Sequence, residues 1–381
     1  MNISNTPVSD FDAAVRLLSG GTNVAIYNDL GIPSIYVRRD KGEGFELFEP
    51  GFDGAHYAFI VNGVEIPAFY MGKYLATVYK GRALSLPLQD PAAGTIAAAD
   101  RGAAPSSNVT FDNARIWCEA NGAGFHLPTI AEYAWIAALS RKNGTLPHGN
   151  NSYGADVAYP YEIGLASHFD EEGRICSTLT GSGPAKWNDN WQPDGICDLN
   201  GNIKEWQGGY RTVDGEIQII ADNDAAMQCN QNTSSTLWKA ILPNGTLVEP
   251  GTPGTLKWDY TKAPGNATTP FRLNTELEFQ QTTAEAFGAN TLSGKSLFYE
   301  YTGTENGIIR LIQLGLLPDL EEKRTYGNDV VYMRNRGECL SFRGGSWNDS
   351  NGAGVYNVNC CGSRAYYYKF LGFRPAFIPG I

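Results

Sequence analysis

The closing segment of the chain opens with Arg343-Gly344-Gly345-Ser346-Trp347 and ends with Leu371-Gly372-Phe373-Arg374-Pro375. The residues between these two frames are almost all Asn, Ser, Gly, Cys and Tyr. Tyr supplies a large contact area at low entropic cost, and Ser, Gly and Asn supply adaptable hydrogen bonding. A rigid frame around such an interior is typical of a binding surface. The sequence therefore favours a protein that binds a partner over one that catalyses a reaction.

Length and composition narrow the class of protein. The 381 residues are 42% hydrophobic, which is enough for a large core or for two to three domains. The chain has 44 glycines and only 18% charged residues, which favours a loop-rich, β-containing globule. The net charge of −11 argues against a nucleic-acid partner, because phosphate binding needs clustered Lys and Arg.

The chain carries no recognisable targeting pattern. Its first residues lack the basic stretch followed by an apolar stretch that marks a secretory signal. No uninterrupted apolar run approaches membrane-spanning length. We therefore expect synthesis in a cytoplasm and no membrane insertion.

The seven cysteines include no C-x-x-C pair, which argues against a zinc site. Reduced, mostly buried thiols are the prediction for Cys118, Cys176, Cys197, Cys229 and Cys339. The adjacent residues Cys360 and Cys361 leave three interpretations open. They are exposed, they are core thiols, or they form a strained vicinal disulfide.

Residues 1–57 form a leading region that is too small to bury a core alone. It carries a helical stretch, Asp10 to Leu18, and then two alternating apolar segments, Asn23 to Tyr27 and Ile35 to Arg38. We interpret it as a β-rich attachment or oligomerisation region. The main domain is expected over residues 58–381 and begins with a strand pair that turns at Asn62-Gly63.

Two helices and one insertion follow. The first helix starts at Thr110 or Asp112, and the second starts at Thr129, whose spacing to Glu132 is a capping box. Residues 86–108 are expected to form a surface loop. Residues 208–336 are interpreted as an irregular insertion, with a hairpin over residues 238–260. In that span, residues 308–317 are predicted as a short helix or strand, which periodicity does not settle.

Five motifs in register resemble the domain shared by formylglycine-generating (sulfatase-modifying factor) enzymes and a branch of C-type-lectin-like proteins. They are Phe69-Tyr70-Met71-Gly72-Lys73-Tyr74, His126-Leu127-Pro128-Thr129 with Glu132, Asp198-Leu199-Asn200-Gly201-Asn202-Ile203-Lys204-Glu205-Trp206, Arg343-Gly344-Gly345-Ser346-Trp347 and Gly372-Phe373-Arg374. The resemblance implies an α+β, loop-rich, C-type-lectin-like fold of the formylglycine-generating-enzyme subtype.

Within these motifs we expect structural roles. Gly201 is predicted to turn the chain with positive φ, and Trp206 to bury its ring beside it. Glu205 is interpreted as a buried, paired carboxylate, and Arg374 as a donor to carbonyls or to a carboxylate. The predicted scaffold comprises Gly201, Glu205, Trp206, Gly344, Gly345, Trp347, Gly372 and Arg374.

Residues 343–375 also resemble the variable region of proteins diversified by retroelements, including phage tropism determinants. In that family, adenines of template AAC codons are replaced while the lectin-like scaffold stays. Many residues of the segment are types that mutated AAC codons specify, and several fall at alternate positions, as on one face of an extended chain. The predicted ligand-binding residues are Ser346, Asn348, Asp349, Gly352, Asn357, Asn359, Cys360, Cys361, Arg364, Tyr366, Tyr367, Tyr368 and Phe370.

The resemblance implies a tail-associated receptor-binding protein of a phage virion. The leading segment, from Asn5-Thr6-Pro7 through Tyr36-Val37-Arg38, is similar to the start of tail-associated proteins from phages of gut bacteria. The expected partners are a bacterial cell-surface protein or glycan and other phage tail proteins. A homo-oligomer, with a trimer favoured, would add avidity to weak single sites.

Two alternative functions stay open. One is a formylglycine-generating copper oxidase, although residues 347–354 lack the cysteines which that chemistry places after the Gly-Gly-Ser frame. The other is a calcium-independent glycan-binding lectin, since the one Gln192-Pro193-Asp194 triplet lies at a different place in the fold. No cofactor is expected. A structural cation such as calcium, held in the Asp189 to Asp198 loop, remains an open alternative.

Overall fold

Strands make up most of the architecture, and helices are few. The computed structural model describes residues 9–44, 54–96, 107–264, 269–281, 294–298, 308–318 and 326–381. The α-helices in these ranges are α1 (Asp10–Leu18), α2 (Phe111–Glu119), α3 (Ile130–Lys142) and α4 (Ile308–Gln313). None of the helices in the described part is both long and apolar enough to cross a membrane.

The strands in the described ranges follow one another in chain order. They are β1 (Asn23–Tyr27), β2 (Pro33–Asp40), β3 (Ile60–Val61), β4 (Val64–Glu65), β5 (Ala68–Gly72), β6 (Ala76–Tyr79), β7 (Arg82–Ser85), β8 (Thr95–Ile96), β9 (Ser107–Asn108), β10 (Phe125–His126), β11 (Lys204–Val213), β12 (Glu216–Ile220), β13 (Trp238–Ile241), β14 (Leu247–Val248), β15 (Lys257–Tyr260), β16 (Phe271–Asn274), β17 (Gly294–Leu297), β18 (Val330–Met333), β19 (Glu338–Gly344), β20 (Gly354–Gly362), β21 (Leu371–Gly372) and β22 (Ala376–Phe377).

A five-stranded sheet joins the two ends of the chain, with the strand order β1-β2-β5-β22-β10. Strand β2 of the leading region pairs antiparallel with β5, with Tyr36 opposite Gly72. Strand β22, close to the C terminus, pairs with the other edge of β5. The boundary expected at residue 57 therefore lies between two strands of one sheet, and the leading region is docked on the rest of the chain.

An eleven-stranded sheet holds the closing segment, and its main path runs β14-β13-β12-β11-β19-β20-β18-β17. Strands β12 to β18 come from the span that we expected to be an irregular insertion. The expected irregularity was wrong for the described residues of this span, which form strands that extend the large sheet. The strands there are only two to five residues long. Such short strands leave little periodicity to detect.

The predicted turn and the predicted helix N-termini are present in the structure. Asn62 and Gly63 both have positive φ, 51° and 70°, in the tight turn between β3 and β4. The Thr110 side chain, rather than that of Asp112, caps α2 by accepting from the Asn113 N–H. Thr129 and Glu132 form the complete capping box of α3.

The structure assigns secondary structure to the stretches that the sequence leaves less certain. Residues 308–313 are helical, which settles the choice between helix and strand. The predicted hairpin over residues 238–260 appears as β13 paired antiparallel with β14. In the expected loop over residues 86–108, residues 97–106 lie outside the described residues. On either side of them, β8 pairs with β9.

The scaffold motifs pack as predicted. Gly201 has φ 74°, and a Cβ there would lie 2.1 Å from the Asn150 carbonyl oxygen. The Trp206 ring is buried, and its Nε1 donates to the Val109 carbonyl oxygen at 3.0 Å. Gly345 has φ 74°, and a Cβ there would meet the Ala353 side chain at 2.5 Å. These glycines are required by close backbone approach as well as by conformation.

Candidate binding surface

Strand β20 carries the middle of the closing segment through the centre of the large sheet. It lies between β18, to which it is parallel, and β19, to which it is antiparallel. All nine of its residues are buried. A strand with neighbours on both edges and side chains packed on both faces has no surface for a ligand.

This burial corrects part of the predicted ligand-binding set. The expected contacts that have no open surface are Ser346, Gly352, Asn357, Asn359, Cys360 and Cys361. The period-two spacing marks an extended chain only at Asn357 and Asn359, which lie on the buried strand β20; residues 346 and 348 and residues 366, 368 and 370 lie outside the strands. Cys360 and Cys361 are free core thiols rather than exposed ones or a disulfide. Burial raises the pKa of Cys360 to about 12, so the thiol stays protonated.

A polar turn after the Gly-Gly pair is held by Asp349. Its Oδ2 accepts from the Ser346 backbone N–H at 2.9 Å and from the Ser346 hydroxyl at 3.0 Å. The ammonium of Lys204 lies 2.9 Å from the same oxygen. Asp349 and Ser346 therefore stabilise the turn, and Asn348 beside them is exposed.

Arg364, at the start of the loop over residues 363–370, is engaged by two carboxylates. Its Nε and Nη2 donate to the two oxygens of Glu338 at 3.1 and 2.8 Å. Its Nη1 donates to Asp112 Oδ1 at 2.9 Å. This bidentate geometry fixes the guanidinium. Arg364 therefore anchors the loop to the scaffold, which replaces its expected role as a contact to a ligand.

The other end of the loop is fixed by backbone contacts. The Lys204 N–H donates to the Phe370 carbonyl oxygen at 2.8 Å, and the Leu371 N–H donates to that of Tyr368 at 3.0 Å. A Cβ on Gly94 would lie 3.2 Å from the Lys369 Cα, so the loop packs closely on that glycine. The loop is thus held at both ends and along its backbone.

A row of aromatic rings runs along this loop from the core to the surface. Tyr366 is stacked against Phe342 and Tyr368, with ring centroids 6.2 and 6.3 Å apart. Tyr368 meets Phe370 edge-on at 4.3 Å, and Phe370 meets Trp347 at 6.3 Å. Each such pair adds about 1 kcal/mol beyond area burial. The rings therefore support one another in fixed positions.

Tyr367 and Tyr368 are the exposed members of the loop's tyrosine triplet, 44% and 42% accessible. Beside them lies a cavity of about 500 Å³, within the usual size of small-ligand pockets. Its walls come from residues 367–369 with Trp347, from residues 168–171 and 176–177, and from residues 91, 93 and 94. The predicted frame residue Trp347 thus forms part of the cavity wall.

The cavity carries both charge signs and a histidine. Asp170 and Glu171 lie on one wall, and Lys369 lies on another, with its ammonium 5.7 Å from the Trp347 ring centroid. His168 Nδ1 lies 2.8 Å from the Ser167 hydroxyl and 3.1 Å from that of Ser177. Aromatic faces with a few convergent polar groups can orient a ligand as well as bind it.

The loop from Asp189 to Asp198, where a structural cation was an open alternative, directs its carboxylates to hydrogen-bond donors of the protein. Asp189 forms a buried ion pair with Arg39 and accepts from the Ile196 N–H at 2.7 Å. Asp198 accepts from the Gly181 N–H at 2.8 Å. Within the described ranges, no group of three or more His, Cys, Asp or Glu side chains is arranged to hold a metal ion.

Comparison with known proteins gives distant structural neighbours. No family model matches the sequence, and no curated protein matches it. Two similar solved structures are a Major Tropism Determinant P3c variant and a Major Tropism Determinant U1 variant, with TM-scores of 0.32 and 0.27. They are 10% and 11% identical over 94% and 93% of this chain.

The matched regions cover 63% and 72% of those two structures, so the chain spans under two thirds of the first. At these scores the likeness decides neither fold nor function.

Half of the cavity wall comes from a segment that sequence reasoning missed. Tyr153 meets Trp347 edge-on, with ring centroids 5.3 Å apart, and Phe169 lines the cavity directly. No local motif marks these residues as a site. The one available signal was a run of apolar residues at alternate positions from Val157 to Leu165, in a stretch with no predicted element.

Proposed function

We propose that this chain is a receptor-binding protein of a phage tail, which grips a ligand on a bacterial surface. The observation that carries the proposal is the exposure of Tyr367 and Tyr368 at the mouth of the 500 Å³ cavity. Exposed tyrosines on a fixed backbone are efficient anchors, because they bury much area and lose little entropy. The fold proposed for this surface is C-type-lectin-like, of the formylglycine-generating-enzyme subtype.

The loop is preorganised, which supports a binding role. The ion pairs of Arg364 and the packing on Gly94 order the backbone before any ligand arrives. Binding then avoids much of the entropic cost of ordering a flexible loop. The contacts proposed from the original set are the residues with open surface that no ion pair holds, namely Asn348, Tyr366, Tyr367, Tyr368 and Phe370.

The remaining parts of the proposal follow from this surface. The leading region would attach the protein to other tail proteins, and assembly as a trimer would multiply weak contacts. Retroelement diversification would act on the open loop positions. A catalytic role is not proposed. The buried carboxylate of Glu205 has both oxygens bound by Arg374 and is not available to a substrate.

The test uses fluorescently labelled full-length protein and a panel of intact gut-bacterial strains, read by flow cytometry. The double variant Tyr367→Ala/Tyr368→Ala should bind a recognised strain at least about tenfold more weakly than the wild type. The matched control is Tyr79→Ala, since Tyr79 is 43% exposed on β6. The control should bind normally. Equal binding by the double variant, or no bound strain for the wild type, would overturn the proposal.

A further inference from the structure

A second exposed surface, made of apolar side chains, adjoins the cavity. It consists of residues at odd-numbered positions in one segment, here named the apolar row: Val157, Tyr159, Tyr161, Ile163, Leu165 and Phe169. Tyr161 is 78% exposed, and the others are between 37% and 62% exposed. Isolated apolar residues on a surface are ordinary, but a contiguous group of them marks an interaction site.

Two residues between members of the apolar row, Glu162 and Gly164, are turned inward, whereas Ala158 and Pro160 are exposed like the row itself. Glu162 Oε2 accepts from the Trp187 indole N–H at 3.1 Å and lies 2.9 Å from His148 Nδ1. A Cβ on Gly164 would lie 2.8 Å from the Thr178 side chain. With these two residues packed inward, Ile163 and Leu165 beside them face solvent. The outward orientation is therefore built into the fold.

The backbone beneath the apolar row is also fixed. Bridges join Ala155 to Ile163 and Phe169 to Ile175. The Tyr159 ring stacks on His148, with centroids 4.2 Å apart and nearly parallel planes. Rings and aliphatic side chains held in place lose little entropy when a partner covers them.

The size of the apolar row suits a protein partner. Six apolar or aromatic side chains, each more than a third exposed, can supply a substantial part of the roughly 800 Å² that each partner contributes to a standard protein interface. Between residues 157 and 165 the one charged side chain is Glu162, which is bonded inward. Depletion of charge with enrichment of aromatic residues is the composition of an interface centre.

The chemistry of the apolar row disfavours a glycan. Sugar hydroxyls need many hydrogen-bonding groups, and among the side chains of the apolar row only the hydroxyls of Tyr159 and Tyr161 offer them. A folded protein that presents its own apolar patch needs no such groups. The composition therefore selects between the two classes of partner that the function leaves open.

Phe169 belongs both to the apolar row and to the cavity wall, so the two surfaces are continuous. We propose that the apolar row is a fixed second half of the receptor-binding surface, and that the receptor is a protein whose apolar face covers it. The inference rests on the proposed function. A second copy of this chain on the apolar row would instead cover Phe169 and obstruct the cavity.

The experiment again measures binding of labelled full-length protein to a recognised strain. The variant Ile163→Ser/Leu165→Ser should bind at least about tenfold more weakly, with a melting temperature within a few degrees of the wild type. The matched control is Val64→Ser/Leu30→Ser, two aliphatic residues 63% and 49% exposed elsewhere. The control should bind normally.

Treatment of the cells identifies the class of receptor. Proteinase K should abolish binding, and periodate, which cleaves sugar diols, should leave it intact. Loss with periodate alone would assign the ligand to the glycans and overturn the inference. Size-exclusion chromatography with light scattering measures the oligomeric state and tests whether a second copy of this chain occupies the apolar row. A smaller assembly for the Ile163→Ser/Leu165→Ser variant than for the wild type would place a second copy on the apolar row.

Different binding results would overturn this inference and the proposed function. Full binding by Ile163→Ser/Leu165→Ser, together with loss in Tyr367→Ala/Tyr368→Ala, would overturn the inference alone. Full binding by both double variants, or no bound strain, would overturn both.

Discussion

Glu205 on β11 and Arg374 beyond β21 form a buried ion pair between residues 169 positions apart in the sequence. Arg374 Nη2 lies 2.8 Å from Glu205 Oε1, and the same guanidinium donates to the carbonyl oxygens of Gly72 and Cys197 at 3.0 Å. The pair thus ties both sheets and the end of the chain to one point. Neither side chain is open to a ligand.

Removal of the guanidinium should destabilise the fold strongly. Arg374→Met leaves Glu205 buried without its partner, and we expect the free energy of unfolding to fall by about 3–5 kcal/mol. The matched control is Arg38→Met, because Arg38 pairs with Asp40 where both side chains are over 40% exposed. That change should cost no more than about 1 kcal/mol. Denaturant titration measures the free energy of unfolding of both variants. Equal losses would contradict a main stabilising role for the Glu205–Arg374 pair.

Neighbouring tyrosines in the loop should behave differently. Tyr366 is half-buried against Phe342, so Tyr366→Ala should lower the free energy of unfolding by about 2 kcal/mol. Tyr367 is exposed, and Tyr367→Ala should change it by no more than about 0.5 kcal/mol. Thermal and denaturant unfolding of the two variants compares them directly. A stability loss for Tyr367→Ala as large as that for Tyr366→Ala would show that its ring also belongs to the core.

Asp198 should make the protein less stable at neutral pH than in mild acid. Burial raises the pKa of Asp198 from 3.8 to about 6, although the Gly181 N–H and Arg374 oppose the shift. The folded state therefore binds the proton more tightly than the unfolded state does. Its contribution to stability is fully present below about pH 4 and is lost as the pH rises through 6.

Asp198→Asn tests this, because the amide stays neutral and Asn tolerates the positive φ of 60°. At pH 7 the variant should be more stable than the wild type by about 2 kcal/mol, and at pH 4 the difference should vanish. Asp214→Asn is the control, with φ 46° and a side chain 58% exposed. This control should not be more stable than the wild type at pH 7. A pH-independent effect at Asp198 would refute the assignment.

The thiols should be almost inert in the native protein. All seven cysteines are free, and only Cys229 is partly exposed. A thiol-reactive dye should label at most two cysteines in the native state, Cys229 and Cys176 at the cavity wall, and all seven in denaturant. Cys361→Ser should lower the denatured count by one and leave the native count unchanged. A native count that falls in Cys361→Ser would mean that Cys361 is exposed after all.

The scaffold could be predicted from the sequence because its signals are local. A capping box at Thr129 and Glu132 satisfies backbone groups within one helical turn, so spacing alone identifies it. The Asn62-Gly63 turn is equally local, since both residues need positive φ. Gly201 and Trp206 were assigned through the resemblance of their motif, and the structure gives them the expected roles.

Exposure could not be predicted in the same way, because it depends on strands that are distant in the sequence. Asn357 and Cys360 have the residue types of a binding surface, yet β18 and β19 cover the edges of their strand. The wall of the cavity was missed for the same reason. Phe169 lines the same cavity as Trp347 and Tyr368 only through the tertiary fold, and no spacing in the sequence marks that arrangement.

The anchoring of Arg364 has a consequence for how this protein can evolve. Its ion pairs with Glu338 and Asp112 confine the loop at one end, and β21 confines it at the other. Changes at positions 367 and 368 therefore leave the sheet intact and are nearly free of selection for folding. Changes in β20 are under selection for folding, since every residue of that strand is buried. A lineage could exchange partners by mutating a few loop codons while natural selection preserved the strand a few residues upstream.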